Sequence, residues 1–315
     1  MNTLLLTGGR GMVGSEVLRY FRMQGWHIIV ACSGQVESGD DAVEVIPFDL
    51  SAVAGNAALE AAMRRTTAVV HCAALLPSSG LLRTCTGARH LYNLNSLGSY
   101  DLMDMAVRHN VRHFVYISTA NLYDPSTTQI DEAVPPTPTD SYMLSKLACE
   151  EAASMFGRSS KTRFIGLRIS APYGAAFNVK AVIPIFVQRA LAGEALELQG
   201  SGQRQQVFTY VGDIARACFN AVAAGASGIC NIAGPGPVTM ADLAHSVIKA
   251  VGNSDGSIKF SGQPDPNEGA RRQVSIAYAK QLLDWEPAYD LDRGLEAMVA
   301  HLRNPPPALL RTVAA

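Results

Sequence analysis

The chain has only six cysteines in 315 residues, and none of Cys32, Cys72, Cys85, Cys149, Cys218 and Cys230 forms a CxxC pair. Thiols scattered in this way suit reduced, mostly buried positions and argue against a disulfide framework or a cysteine zinc site. Its seven histidines make no HExxH spacing, so no metal is expected. Neither sign of charge is in excess: 26 Lys and Arg face 27 Asp and Glu, for a formal net charge of −1. That balance offers no bulk attraction to nucleic acid or to an anionic membrane, and neither is expected as a partner. No apolar run approaches the roughly 20 residues that span a bilayer. The opening MNTLLLTGG lacks a basic n-region and a small-residue cleavage site, so it reads as a first strand and a cytoplasmic location is expected. There is no tandem repeat and no disordered linker.

What is present is an alternation. The β-rich runs LLLTG, HIIVACS, VEVIPFD, AVVHCAA, HFVYIST and RFIGLRIS are separated by helix-like segments near residues 15–24, 55–65 and 92–109 and by the helix that carries YMLSK. This is the pattern of an α/β fold, a Rossmann-type doubly wound parallel sheet with helices on both faces. After about Ser170 it loosens into Gly and Pro clusters (PYG, GSGQ, AGPGP, SGQPDPNEG) with short helices between them. A smaller C-terminal substrate-binding lobe is therefore expected: residues 1–170 and 206–235 form the domain of the parallel sheet, and 171–205 and 236–315 form the lobe interleaved with it. Ligands bind where such lobes meet the carboxyl ends of parallel strands, so a small-molecule substrate is expected in that crevice.

The first strand runs into TGGRGMVGS, which holds Gly8, Gly11 and Gly14 at three-residue spacing and a GxGxxG from Gly9. Such glycines allow a tight turn and close approach of backbone N–H groups to a pyrophosphate at a helix N-terminus. Gly8, Arg10, Gly11, Met12, Val13 and Gly14 are the candidate phosphate-side contacts. The second strand ends in Cys32 and Ser33, where an acid would bind the ribose 2′-hydroxyl of NAD. With no carboxylate there and Arg10 in the glycine loop, NADP is favoured over NAD. Tyr142 and Lys146 of YMLSK lie one turn apart on one helix face.

These segments, in order with FDLS, VVHCAA, NLNSLGSYDLM, VYISTANLY, LRISAPYG and GSGQRQQVFTYVGDIA, resemble the extended short-chain dehydrogenase/reductases. The group is that of the NAD(P)-dependent epimerases and dehydratases that modify sugar nucleotides, and the resemblance covers nearly the whole chain. It implies that Asp49 accepts from the adenine amino group with Leu50 beside it, and that Ala73 and Ala74 line the cofactor. Asn95 would fix a helix and a water near the active site, while His71 would serve packing. Thr119 and Tyr142 would both bond the reacting oxygen, Tyr142 would move its proton, and Lys146 would hold the nicotinamide ribose and place its charge near the phenol. Bringing a tyrosine from a pKa of about 10 to near 7 takes on the order of 4 kcal/mol of preferential phenolate stabilisation.

Three departures from the family pattern narrow the reaction. The catalytic threonine of the 4,6-dehydratases is followed by Asp-Glu, but here by Ala120-Asn121, so elimination lacks its proton carriers. Ala171 replaces the Asn of LRxxN, and Gln206 stands where GxGxxxR has its Arg, with Arg204 two residues early. Arg204, Arg271 or Arg272 would have to compensate at a diphosphate, which depends on charge-assisted donors. The expected activity is epimerisation or ketone reduction by hydride transfer at one carbon of a sugar-like substrate, with or without a nucleotide. The alternatives are a reductase of small non-sugar carbonyls and an inactive NAD(P)-binding sensor or scaffold; retention of Thr119, Tyr142 and Lys146 counts against the last. Apolar residues on the two long helices (Leu97, Leu102, Met103, Met105, Leu144, Leu147, Met155, Phe156) suit either core packing or a homodimer, and a homodimer is expected.

Overall fold

Seven parallel strands form the centre of the computed structural model, which describes residues 2–77, 80, 84–124, 126–175, 181–253 and 256–312. They are β1 (Thr3–Thr7), β2 (His27–Cys32), β3 (Val43–Pro47), β4 (Ala68–His71), β5 (His113–Thr119), β6 (Arg163–Ile169) and β7 (Gly228–Ile232). Their order across the sheet is β7-β6-β5-β4-β1-β2-β3, with every neighbour parallel. A parallel sheet is covered on both faces, which explains why the strands read as unbroken apolar runs. Leu4, Leu5 and Leu6 of β1 are completely buried, each contributing about 1.5–3 kcal/mol of apolar burial. The order reverses between β1 and β4, so the crevice beyond their last residues, Thr7 and His71, is the topological switch point.

One face is covered by α1 (Met12–Met23) and α6 (Val211–Ala223), which bury Val17, Leu18, Phe21, Ile214 and Cys218. The other carries α2 (Ala57–Met63), α3 (Cys85–Arg108) and α4 (Ser141–Ser159), which bury Leu59, Met63, Leu102, Met103 and Cys149. Helix α3 begins well before the residue-92 start expected from its periodicity, because the Thr84 side chain accepts from Gly87 N and caps it. Helix α4 is started by Asp140, whose side chain accepts from Met143 N at 2.8 Å and so fixes where Tyr142 falls on the first turn.

A separate apolar cluster joins α5 (Val182–Leu191), α7 (Met240–Val251) and α9 (Leu291–Arg303) through Phe186, Val187, Leu243, Val247, Leu295 and Met298. Two segments expected in that lobe lie with the sheet instead. Helix α8 (Ala277–Leu283) and the following Trp285 pack into the core beside α6, the indole N–H donating to Asp213 O at 2.9 Å. Leu310–Thr312 pairs antiparallel with Val36–Ser38, just after β2. Of the apolar residues that suited either core packing or a dimer face, Leu102, Met103 and Met105 are fully buried and Phe156 nearly so. Among the described residues, Leu97, Tyr100, Leu144 and Met155 are the large apolar side chains that α3 and α4 expose.

Candidate active site

The glycine loop takes a shape that only glycine fits. Gly8 has φ 70°, and a Cβ there would come within 2.6 Å of Ala73 N on the far side of the crevice. A Cβ on Gly14 would collide with the Gly8 carbonyl oxygen, which already accepts from Gly11 N at 2.9 Å. Gly11 is the N-cap of α1 and no side chain caps the helix, so its first turn, starting at Met12 and Val13, presents uncapped N–H donors. That arrangement fits a dinucleotide pyrophosphate.

Beside the loop lies a cavity of about 320 Å³ lined by Gly8, Arg10, Cys32, Ser33, Asp49, Leu50, Ala73 and Ala74 among others. The structure thus brings residues expected along the cofactor, from the adenine through the phosphates, to one cavity. Asp49 is exposed, and its Oδ1 accepts from the Ser51 hydroxyl at 2.7 Å and from Ser51 N at 2.8 Å. Those bonds hold its carboxyl below the usual range. Cys32 is buried at the end of β2, and burial pushes its thiol up, opposed by the Arg10 charge; Arg10 lines the same cavity, and a Cβ at Gly34 would lie 3.9 Å from its Nη1. Asn95 is buried behind this cavity, its Oδ1 accepting from Leu75 N at 2.7 Å and its Nδ2 donating to Leu75 O at 2.9 Å. It therefore clamps the segment leaving β4 to α3, with Nδ2 also 3.4 Å from Ser145 Oγ on α4.

Thr119 is the last residue of β5, and its hydroxyl accepts from Asn121 N at 3.1 Å, starting the turn Ala120–Leu122. Lys146, almost fully buried, donates to Ile117 O at 2.8 Å, and its Nζ lies 5.8 Å from the centre of the Tyr142 ring. Beneath it, His71 bonds Thr7 Oγ1 at 2.6 Å and Ser99 Oγ at 2.8 Å. Burial, aided by the Lys146 charge, lowers the His71 pKa to about 3, so the ring is neutral and serves packing. Burial pushes the Cys72 thiol up to about 12 despite Lys146. The groups under the ammonium are therefore uncharged.

One turn past Lys146 is a group that the sequence reading did not single out. Glu150 accepts from Ser118 Oγ at 2.6 Å and from Arg168 Nε at 3.0 Å and Nη2 at 2.6 Å. Arg168 also donates from Nη1 to Tyr123 Oη at 2.7 Å, and Tyr123 donates to Asn231 Oδ1 at 2.9 Å. Burial works against the Arg168 charge, but Glu150 outweighs it and holds the guanidinium above its ordinary value. The signal was a glutamate on the buried face of an amphipathic helix, four residues after Lys146.

A second cavity, of about 370 Å³, opens between the residues following Thr119 and Tyr142, namely Ala120, Asn121 and Met143. Ala171, Arg204, Gln206 and Arg272 complete the side expected to meet substrate, and among the described residues none that lines it is a carboxylate. Arg204 is engaged by Asp265 at 2.7 Å and Gln206 at 3.2 Å. Arg271, expected to contact substrate, is exposed and outside the lining, because the strand pairing of Gln273–Val274 with Gln129–Ile130 turns its neighbour inward. Arg272 takes that place, half-buried, with Nη2 donating to Tyr123 O at 3.2 Å.

The sheet order, the glycine loop at its switch point and the tyrosine-lysine pair next to a strand-end threonine define an extended short-chain dehydrogenase/reductase. The chain belongs to the NAD dependent epimerase/dehydratase family, whose model matches residues 4–233. It is 25% identical over 313 residues to a putative UDP-glucose 4-epimerase of Methanocaldococcus jannaschii, covering 96% of this chain and 98% of that one. It is 26% identical to UDP-glucuronic acid decarboxylase 6 of Arabidopsis thaliana, over 95% of this chain and 88% of that one. The crystal structure of Thermus thermophilus UDP-glucose 4-epimerase in complex with NAD superposes with a TM-score of 0.81 at 25% identity, covering 96% and 99% of the two chains. The protein is thus an enzyme of an NAD-dependent family whose members act on sugar nucleotides by several reactions. Among the described residues no helix is long and apolar enough to cross a membrane, and no three His, Cys, Asp or Glu side chains are grouped to hold a metal ion.

Proposed function

We propose that the protein is an NAD(P)-dependent epimerase or ketoreductase acting at one secondary alcohol or ketone carbon of a sugar-like substrate. The observation that supports this reading is the cavity lined by Ala120, Asn121 and Met143, the neighbours of Thr119 and Tyr142, in which no carboxylate stands among the described residues to move a second proton. Elimination and decarboxylation in this family need such a group, whereas oxidation or reduction at one carbon does not. When bound, the nicotinamide supplies the hydride chemistry. Thr119 and Tyr142 hold the reacting oxygen, Tyr142 gives or takes its proton, and Lys146 leaves Ile117 O to hold the ribose hydroxyls and keep positive charge by the phenol. Asp49 and Leu50 hold the adenine end and Ala73 and Ala74 line the cofactor between adenosine and nicotinamide, with Asn95 clamping the wall behind them.

Three finer assignments follow from the same geometry. The crevice favours NADP, since Cys32 and Ser33 offer no carboxylate and Arg10 lies near the strand end. Arg272, half-buried and in no ion pair among the described residues, receives an anionic group of the substrate, while Asp265 already neutralises Arg204. Two copies pair through Leu97, Tyr100, Leu144 and Met155 of α3 and α4.

Denaturing the purified protein and identifying any released nucleotide by mass spectrometry separates the two reactions. Tightly retained cofactor marks epimerisation, which regenerates it each cycle; an empty site with NADPH-dependent turnover marks reduction. Tyr142→Phe is expected to bind cofactor normally and lose about 10²–10⁴-fold in turnover. Full turnover in that variant would refute the catalytic assignment.

A further inference from the structure

At the opposite edge of the sheet from Thr119, the first residues of β6 and β7, Arg163 and Gly228, border a cavity of about 650 Å³ against the C-terminal half of α4. A volume of this size is in the range of small-molecule sites. The phenol of Tyr116 reaches its inner end. Tyr116 on β5 is the register partner of Gly166 on β6, and a Cβ at 166 would overlap the phenol oxygen. The glycine in the middle of RFIGLRI thus lets the ring lie across the strand towards Ile229 on β7. Tyr116 is 1% exposed, and no described group bonds its hydroxyl. Native interiors seldom leave a buried hydroxyl without a partner.

Charge divides the cavity in two. At the inner end stands the Glu150 carboxylate, already paired with Arg168. It opposes a second negative charge there, as does Glu151, exposed on α4, which also acts on the phenol. Burial and these carboxylates push the Tyr116 pKa well up, so the hydroxyl remains a donor. The outer rim carries Arg158, Lys161 and Arg163, none of them in an ion pair among the described residues; Arg158 gives one N–H to Ser154 at 2.8 Å. Phe164 and Ile229 supply apolar wall between the ends.

We propose that this cavity is a second ligand site, for an amphiphilic anion. The anion is a carboxylate or phosphate seated on the Arg158, Lys161 and Arg163 rim, on a flat or short apolar body lying against Phe164 and Ile229. A neutral acceptor at its far end receives the hydrogen bond of Tyr116. The position of Glu150 fixes the polarity, with charge outward and acceptor inward.

Calorimetry on the whole chain saturated with NAD and NADP in turn, so that the cofactor crevice is filled, tests this with four probes. 4-Acetylbenzoate has the charge, the ring and the acceptor; 4-ethylbenzoate lacks the acceptor; acetophenone lacks the charge; 4-acetylphenyl phosphate exchanges the headgroup. 4-Acetylbenzoate or its phosphate counterpart is expected to saturate the site with Kd below about 1 mM, and the tighter of the two names the headgroup. 4-Ethylbenzoate and acetophenone are each expected to bind at least about fivefold more weakly, for the lost hydrogen bond and the lost charge. Tyr116→Phe should erase the preference for acetyl over ethyl, and Lys161→Ala with Arg163→Ala the preference for benzoate over acetophenone. Tyr116→Phe removes only a hydroxyl that makes no protein bond, so an unchanged melting temperature certifies its fold. Failure of both anions to saturate below about 10 mM, or wild-type selectivity in both variants, overturns the proposal.

Discussion

Arg168→Met separates two accounts of how α4 is held against the catalytic strand, one through apolar packing alone and the other through the buried pair. Arg168 and Glu150 are 5% and 4% exposed and share two hydrogen bonds, at 3.0 and 2.6 Å. Methionine fills much of the arginine's volume but leaves the Glu150 carboxylate in the interior with the Ser118 hydroxyl as its remaining partner. Breaking such a pair from one side costs about 3–5 kcal/mol, most of it the burial of an uncompensated charge. At about 2.1 cal/mol/K of unfolding entropy per residue, each kcal/mol moves the melting temperature of a 315-residue chain by about 1.5 °C, so a fall of roughly 5–8 °C is expected. Adding Glu150→Gln should recover most of that loss, since the stranded charge is then gone. Urea unfolding followed by circular dichroism without cofactor measures all three proteins. A loss below about 1 kcal/mol in Arg168→Met, or a double variant no more stable than the single, would refute the reasoning. The same pair grips Ser118, next to Thr119, from the helix that bears Tyr142 and Lys146. Arg168→Met should therefore lower turnover more than cofactor affinity.

His71 gives a pH signature. Its folded pKa of about 3 lies below the ordinary 6.5, so between these values the unfolded chain binds a proton that the folded chain refuses. Stability from this group is complete above pH 6.5 and is lost on acidification towards pH 3, at about 1.4 kcal/mol per pH unit in mid-window. Denaturant midpoints across that range should show a shallower slope in His71→Gln, and an unchanged slope would sink the assignment. Gly14→Ala drives a methyl into the Gly8 carbonyl oxygen and is expected to weaken cofactor binding at least tenfold (about 1.4 kcal/mol), read by fluorescence titration; wild-type affinity would show that the loop yields. Leu97→Glu with Leu144→Glu places charge on the face assigned to pairing, and sedimentation should then show monomers. A dimer that survives both changes lies elsewhere.

The parts of the site that were legible in the sequence are local. Strand, glycine loop and α1 are contiguous, and the Tyr142 to Lys146 spacing is set by helix geometry, so both survive translation into three dimensions. Whether Arg271 or Arg272 faces the substrate cavity was not legible, because the answer depends on the pairing of Gln273 with Gln129, far away in the chain. The Glu150 and Arg168 pair was hidden for the same reason, since nothing local says that a glutamate on α4 meets an arginine on β6. The apolar content of α3 announced burial but not its direction. Met103 and Met105 are buried in the core while Leu97 and Tyr100 are exposed, a division that depends on which neighbours pack on the helix.

The pairing of Leu310–Thr312 with Val36–Ser38 has a consequence for the making of this protein. The segment it pins follows shortly after Cys32 and Ser33, which line the crevice proposed for adenosine. A nascent chain halted anywhere before residue 310 lacks the strand, although β1, α1 and β2 were synthesised long before. A segment made early, beside the crevice proposed for adenosine, is thus among the last to be fastened, and a fusion or clipping far downstream acts on the wall of that crevice.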